Sequence, residues 1–175
     1  MEKTPRHIHH LAKIWRVYPD AKIILLVRDG RDVACSIKKR YGSFEKGVTR
    51  WLADNEAARP FWQHSQLYQL RLEDLQQQTE VSLRKLCEFL GISFEETMLQ
   101  FHEKKRFFYA PHISYSDGQT GEEQHAQRRN WQINQPLKST TARWMSEMTE
   151  AEKMYFKREA QYLLEEFGYV NHANW

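Results

Sequence analysis

A chain of 175 residues, 41% hydrophobic and 28% charged, is long enough to bury one core and too short to require two. No run approaches the ~18 apolar residues of a membrane span, "MEKTPRHIHH" has no apolar signal core, and Cys35 and Cys87 do not make a disulfide framework, so the expectation is a cytoplasmic protein with no membrane partner. The net charge of +3 hides an asymmetry: residues 1–50 hold 12 Lys/Arg against 5 Asp/Glu, and the remainder 14 against 18. A basic first third suits an anionic ligand, although a solvated basic face would produce the same count.

The opening "KTPRHIHHLAKIWRVYP" predicts a helix. Thr4 can cap it, Pro5 sits where a missing N–H costs nothing, and Ile8, Leu11, Trp15 and Tyr18 share one face before Pro19 ends it. Lys22 to Val27 reads as a strand. Five successive apolar residues without polar alternation suggest that it is covered on both faces, as in a parallel sheet. Asp29 to Arg31 make a turn, and a helix runs from about Asp32 to Arg40 until "YGS". A second helical region, roughly 44 to 64, carries Val48, Trp51, Leu52 and Trp62, with Pro60 kinking or ending it.

"QLYQLRLEDL" (66–75) reads as a strand running into an acidic loop. A helix with Val81, Leu83, Leu86, Cys87 and Leu90 on one face stops at Gly91, and Ser93 with Glu96 suggests a capping box opening another. Residues 107–138 are polar, with prolines and glycines and no sustained period, and read as a long loop or lid. Thr149 and Glu152 form a second capping box for a last helix lined by Phe156, Ala160, Leu163 and Phe167. There are no repeats, and the whole of 1–175 reads as one α/β domain.

Arg28 is the first residue beyond an apolar strand, and in open α/β sheets ligands bind past the carboxyl ends of strands. The helix that follows turns its N-terminus to the same place, and Ser36, one turn after Asp32, can offer a hydroxyl. A guanidinium fork, a hydroxyl and a helix N-terminus together describe a phosphate site. A strand-end ion pair of Arg28 with Asp29, Asp32 or Glu73 is the other reading.

"EKTPRHI", "YPDAKIILLVRDGRDVACS", "RLEDL" and the closing "RW…FGY" are similar, in order and spacing, to the sulfotransferases that use PAPS (3′-phosphoadenosine 5′-phosphosulfate). The nearest branch resembles the bacterial one related to the heparan and tyrosylprotein enzymes. The resemblance implies a P-loop-NTPase-like parallel sheet flanked by helices. It assigns Arg28 and Ser36 to the donor's 3′-phosphate and places Lys3 of "EKTP" beside the transferred sulfuryl group, where positive charge offsets charge developing on the leaving phosphate. "RLEDL" resembles a family motif that approaches the donor nucleotide. Arg71 is retained there, Leu72 replaces an aromatic residue, and Gly30 stands where many members carry proline. "PLKSTTARW" resembles the segment that folds over the donor, which makes Lys138, Ser139 and Arg143 further donor-binding candidates.

The family's glycine-containing 5′-phosphosulfate loop lies upstream of "EKTP", so the resemblance implies an N-terminally truncated fold. None of the seven glycines forms such a loop, and no G-x-x-x-x-G-K-[ST] occurs. An unpaired edge on the first strand is then expected, inviting a second copy or a complementing N-terminal fragment. Two functions remain. One is sulfuryl transfer from PAPS to a hydroxyl or amine, on a small-molecule or glycan acceptor and without a metal. The other is a non-catalytic module that binds 3′-phosphoadenosine nucleotides or assembles with a partner. The eight histidines complete no recognisable metal-ligand set. Most of the tryptophans fall at helical core positions, so nucleic-acid stacking is not expected.

Overall fold

The computed structural model describes residues 2–107, 127, 130–137 and 142–170. The chain divides into two compact units, Met1–Asp74 with Thr140–Trp175, and Leu75–Ser139.

The first unit opens with a 3-10 helix, Pro5–His10, that passes into α1, Leu11–Val17. Pro5 stands at the first turn as expected, but the Thr4 hydroxyl donates to Glu2 at 2.5 Å rather than capping the helix. Leu11 and Trp15 are buried, and the indole of Trp15 donates to the Ala21 carbonyl at 2.9 Å and stacks on His64. Tyr18, placed by its spacing on the apolar face, is exposed because α1 ends before it.

β1 (Ile23–Val27) and β2 (Leu67–Arg71) pair in parallel, Ile23 opposite Leu67 and Val27 opposite Arg71. One face of β1 sends Leu25 and Val27 into the core. The other face is open, with Ile24 39% and Leu26 53% exposed, which corrects the expectation of a strand covered on both sides. An unbroken apolar run does not say which alternate residues are buried. Among the described residues β1 pairs with β2 alone.

α2 (Gly30–Tyr41) and α3 (Phe44–Ala58) follow β1. Gly42, at φ +75°, takes the left-handed conformation between them, and Ser43 caps α3 by accepting from the Lys46 N–H. The two helices cross closely because Gly47 has no side chain: a Cβ there would lie 2.6 Å from the Cα of Ala34.

α4 (Leu72–Gln77) replaces the acidic loop expected after β2. α6 (Trp144–Glu147) and α7 (Glu150–Glu166) complete this unit. The capping box opening α7 is present in full, and Phe156, Ala160 and Leu163 are wholly buried. Trp51, Phe44 and Trp62 pack around Phe156 and Phe167, with ring centroids 4.8–6.4 Å apart.

In the second unit α5 (Thr79–Leu90) ends at Gly91, φ +73°. Only a 3-10 turn, Glu96–Met98, stands where the Ser93–Glu96 box predicts a helix, and it has no side-chain cap. Asn134 meets Arg106, 28 positions earlier in sequence: its Oδ1 accepts from the Arg106 N–H at 2.7 Å and its Nδ2 donates to the Arg106 carbonyl at 2.8 Å. Most of the expected 107–138 lid lies outside the described residues.

Candidate donor-phosphate site

β1 delivers Arg28 at its carboxyl end, as its sequence predicts, and three contacts fix that end. The Trp51 indole donates to the Arg28 carbonyl at 3.0 Å. The Asp29 N–H donates to Glu73 at 3.0 Å. Gly30 packs directly beneath Trp51 and Phe156, where a Cβ would come within 2.6 Å of the indole. This glycine therefore holds a close approach of backbone to buried rings, and it does so without any left-handed torsion.

Arg28 donates to Asp32 Oδ2 at 3.2 Å, and Asp32 is fully buried. The other oxygen of Asp32 accepts from the Trp144 N–H at 3.0 Å, which ties the start of α6 to the strand end. The Arg28 side chain is 24% exposed. Ser36 follows Asp32 by four residues on α2 and is exposed. Arg28, Asp32 and Ser36 thus mark one face of the strand–helix unit, because residues four apart on a helix are neighbours. The ion pair of Arg28 with Asp32, one of the readings open from sequence, is present, and a guanidinium has donors on several edges.

The N-terminus of α2 is capped from within the chain. Asp29 caps it by accepting from the Arg31 N–H at 2.9 Å, and the Arg31 guanidinium closes on the same carboxylate at 2.7–3.2 Å. Both residues are buried, and Arg31 lies over the Trp144 ring at 3.8 Å. The chain's own carboxylate thus caps this helix start.

"RLEDL" holds residues 167–169, just after α7. Arg71 grips Asp74 with two hydrogen bonds of 2.7 and 2.8 Å and donates to the carbonyls of Phe167 and Gly168. Tyr169 donates to Glu73 at 2.7 Å; burial, followed by that carboxylate, pushes its phenol far above the usual range. Arg143 stands beside Trp144 and 3.9 Å from Glu147. Lys3 is exposed, just ahead of the first 3-10 helix. Lys138 and Ser139 lie outside the described residues.

The thiol of Cys35 is buried. Its pKa is pushed up to about 11 by that burial, with Glu147 and Asp32 adding to it. The pairings of Asp32 with Trp144 and of Glu73 with Tyr169 escape sequence reading. They span 112 and 96 residues, and the only hint is that the acids and aromatics are present.

The parallel strands with flanking helices match the α/β, P-loop-like fold of a solved sulfotransferase domain from the curacin biosynthetic pathway. The TM-score is 0.58 at 19% identity, over 91% of this chain and 61% of that one. A sequence profile of the sulfotransferase family matches residues 1–96, and the chain belongs to that family. It is also similar to an uncharacterized protein of Aquifex aeolicus (strain VF5), 27% identical over 119 residues, which is 61% of this chain and 16% of the relative. The chain thus spans less than two thirds of either relative's length. Among the described residues no helix is long and apolar enough to cross a membrane.

Proposed function

We propose that this chain binds the 3′-phosphate of PAPS through Arg28 and Ser36 and serves sulfuryl transfer to a hydroxyl or amine. The observation that carries the reading is the Arg28–Asp32–Ser36 face. It has an arginine whose backbone carbonyl accepts from Trp51 at the strand end, an acid that orients its guanidinium, and an exposed hydroxyl one turn on from that acid. A phosphate bound there accepts charge-assisted hydrogen bonds, the stronger class, and holding the donor rigidly contributes through orientation. PAPS supplies the sulfuryl group and an anionic leaving phosphate. Lys3 contributes positive charge to that leaving group, Arg143 approaches the donor beside Trp144, and Lys138 and Ser139 are proposed for the same fold-over segment. Arg71 supports the site from the strand end through the Asp74 and Phe167–Gly168 contacts.

A second reading, a non-catalytic nucleotide-binding or assembly module, is favoured by one observation. The open face and edge of β1 would admit a further strand, from a second copy or a complementing fragment. Titrating the protein with adenosine 3′,5′-bisphosphate and with 5′-AMP tests the donor site, with preference for the bisphosphate expected; equal affinities contradict it. Release of the bisphosphate from PAPS during turnover then separates the enzyme from the module.

A further inference from the structure

The peptide bond that leaves β1, between Arg28 and Asp29, is held at both of its ends. Its carbonyl accepts from the Trp51 indole at 3.0 Å, and its N–H donates to Glu73 at 3.0 Å. A peptide group is planar, so partners on opposite edges fix that plane, and with it the direction in which the Arg28 side chain leaves the backbone. Trp51 comes from α3 and is buried. Glu73 comes from the first turn of α4, two residues past the β2 position that faces Val27.

Glu73 is itself held. Its second oxygen accepts from the Tyr169 hydroxyl at 2.7 Å. That phenol stays protonated across the neutral range, because burial, followed by this carboxylate, raises its pKa. Arg71, two residues before Glu73, is turned to Asp74 and to the carbonyls of Phe167 and Gly168. The Glu73 carboxylate is thus committed to two neutral donors, a backbone amide and a phenol, and a charged acceptor strengthens each of those bonds. A binding group is held precisely when its own supports are locked in this way.

We propose that Glu73 is a positioning residue of the Arg28 site: it sets the Arg28–Asp29 peptide, and Tyr169, from the stretch after α7, sets Glu73. Its bearing on a donor phosphate rests on the reading in which Arg28 holds the 3′-phosphate. The Tyr169–Glu73–Asp29 connection stands on geometry alone.

Calorimetry of adenosine 3′,5′-bisphosphate and of 5′-AMP compares wild type, Glu73→Ala, Glu73→Gln and Tyr169→Phe, each also in an Arg28→Ala background. Glu73→Ala should weaken the bisphosphate by roughly tenfold, the scale of one charge-assisted bond. Tyr169→Phe should weaken it less, and 5′-AMP should be little affected by either. Glu73→Gln keeps an oxygen for the Asp29 N–H and an amide for the Tyr169 oxygen, so it should bind nearly as wild type does. In the Arg28→Ala background the losses from Glu73→Ala and Tyr169→Phe should vanish, because groups that act through one another are not additive. Equal losses with and without Arg28 overturn the proposal. So do equal losses of the two nucleotides, which a general loosening of the fold would give. Tyr169→Phe removes a single oxygen and keeps the test open should Glu73→Ala fail to fold.

NMR spectra of the backbone amides and arginine Nε–H groups without ligand are the second readout. Glu73→Ala and Tyr169→Phe should move the Asp29 amide and Arg28 Nε–H resonances, while those of Gly42 and Ser43, beyond the other end of α2, stay in place. Unmoved Asp29 and Arg28 resonances in a folded variant contradict the proposal. If wild type binds the bisphosphate no more tightly than 5′-AMP, the donor reading fails, and these spectra still decide whether Glu73 positions Arg28.

Discussion

Gly30 shows how one residue can be required for packing rather than for a turn. Its Cα approaches the Trp51 and Phe156 rings so closely that a methyl group has no room, and both rings are buried. Gly30→Ala should destabilise by about 1–3 kcal/mol through overpacking, read as a lower urea midpoint with an unchanged slope. The same substitution should weaken nucleotide binding, because Trp51 also holds the Arg28 carbonyl. Cys35 makes a second residue-scale prediction. With its pKa pushed up to about 11 by burial and by Glu147 and Asp32, little thiolate exists at pH 8. A thiol reagent should leave Cys35 unmodified in the native protein and modify it on unfolding; rapid native labelling would contradict the structure.

At the scale of elements, α7 is held at its start by the Thr149–Glu152 box and by the Lys38–Glu152 pair at 2.7 Å, which joins α2 to α7. Thr149→Ala should cost about 0.5–2 kcal/mol, as N-cap losses do. Burial works to raise the Glu152 pKa, but the hydrogen bonds from Lys38 and Thr149 outweigh it and carry the carboxyl below its usual 4.5. A carboxyl depressed in the folded state contributes stability that is fully present above its unfolded pKa and is lost as pH falls through the folded value. Acid destabilisation below about pH 4.5 should therefore be shallower in Glu152→Gln than in wild type, measured by urea titrations at stepped pH. Arg71 holds the stretch after α7 in the same manner, through the Phe167 and Gly168 carbonyls. Arg71→Ala should speed amide exchange at residues 168–170, where the carbonyl of Gly168 and the Tyr169 contact lie.

Across the whole molecule, much of the site-bearing order can be read from sequence. Strand 23–27, the helix after it, the glycine stops at 42 and 91 and the Thr149 capping box all carry local signals of period, cap or left-handed turn. What cannot be read are the pairings that cross the chain. Asp32 reaches Trp144, and Arg71 and Glu73 reach Phe167–Tyr169; contacts of that separation leave no periodicity. Local signals also mislead where tertiary context decides. The Ser93–Glu96 box yields only a 3-10 turn, and the apolar run of β1 conceals an open face. Helix α2 has a capping acid, Asp29, inside its own motif, and Ser36 is exposed further along the same helix. If the Arg28–Asp32–Ser36 face binds the donor product, adenosine 3′,5′-bisphosphate at a hundredfold its dissociation constant should stabilise the fold by about 2.7 kcal/mol, visible as a raised Tm that 5′-AMP does not reproduce.

The central claim is that Arg28 ends its strand in order to hold a phosphate, and calorimetry of adenosine 3′,5′-bisphosphate on wild type and Arg28→Ala tests it most directly. Loss of a charge-assisted pair should weaken binding by roughly tenfold or more, about 1.5–3 kcal/mol, with 5′-AMP affinity little changed. Arg28→Ala that stays folded and binds the bisphosphate as tightly as wild type would contradict the account, leaving Arg28 as a strand-end partner of Asp32 alone.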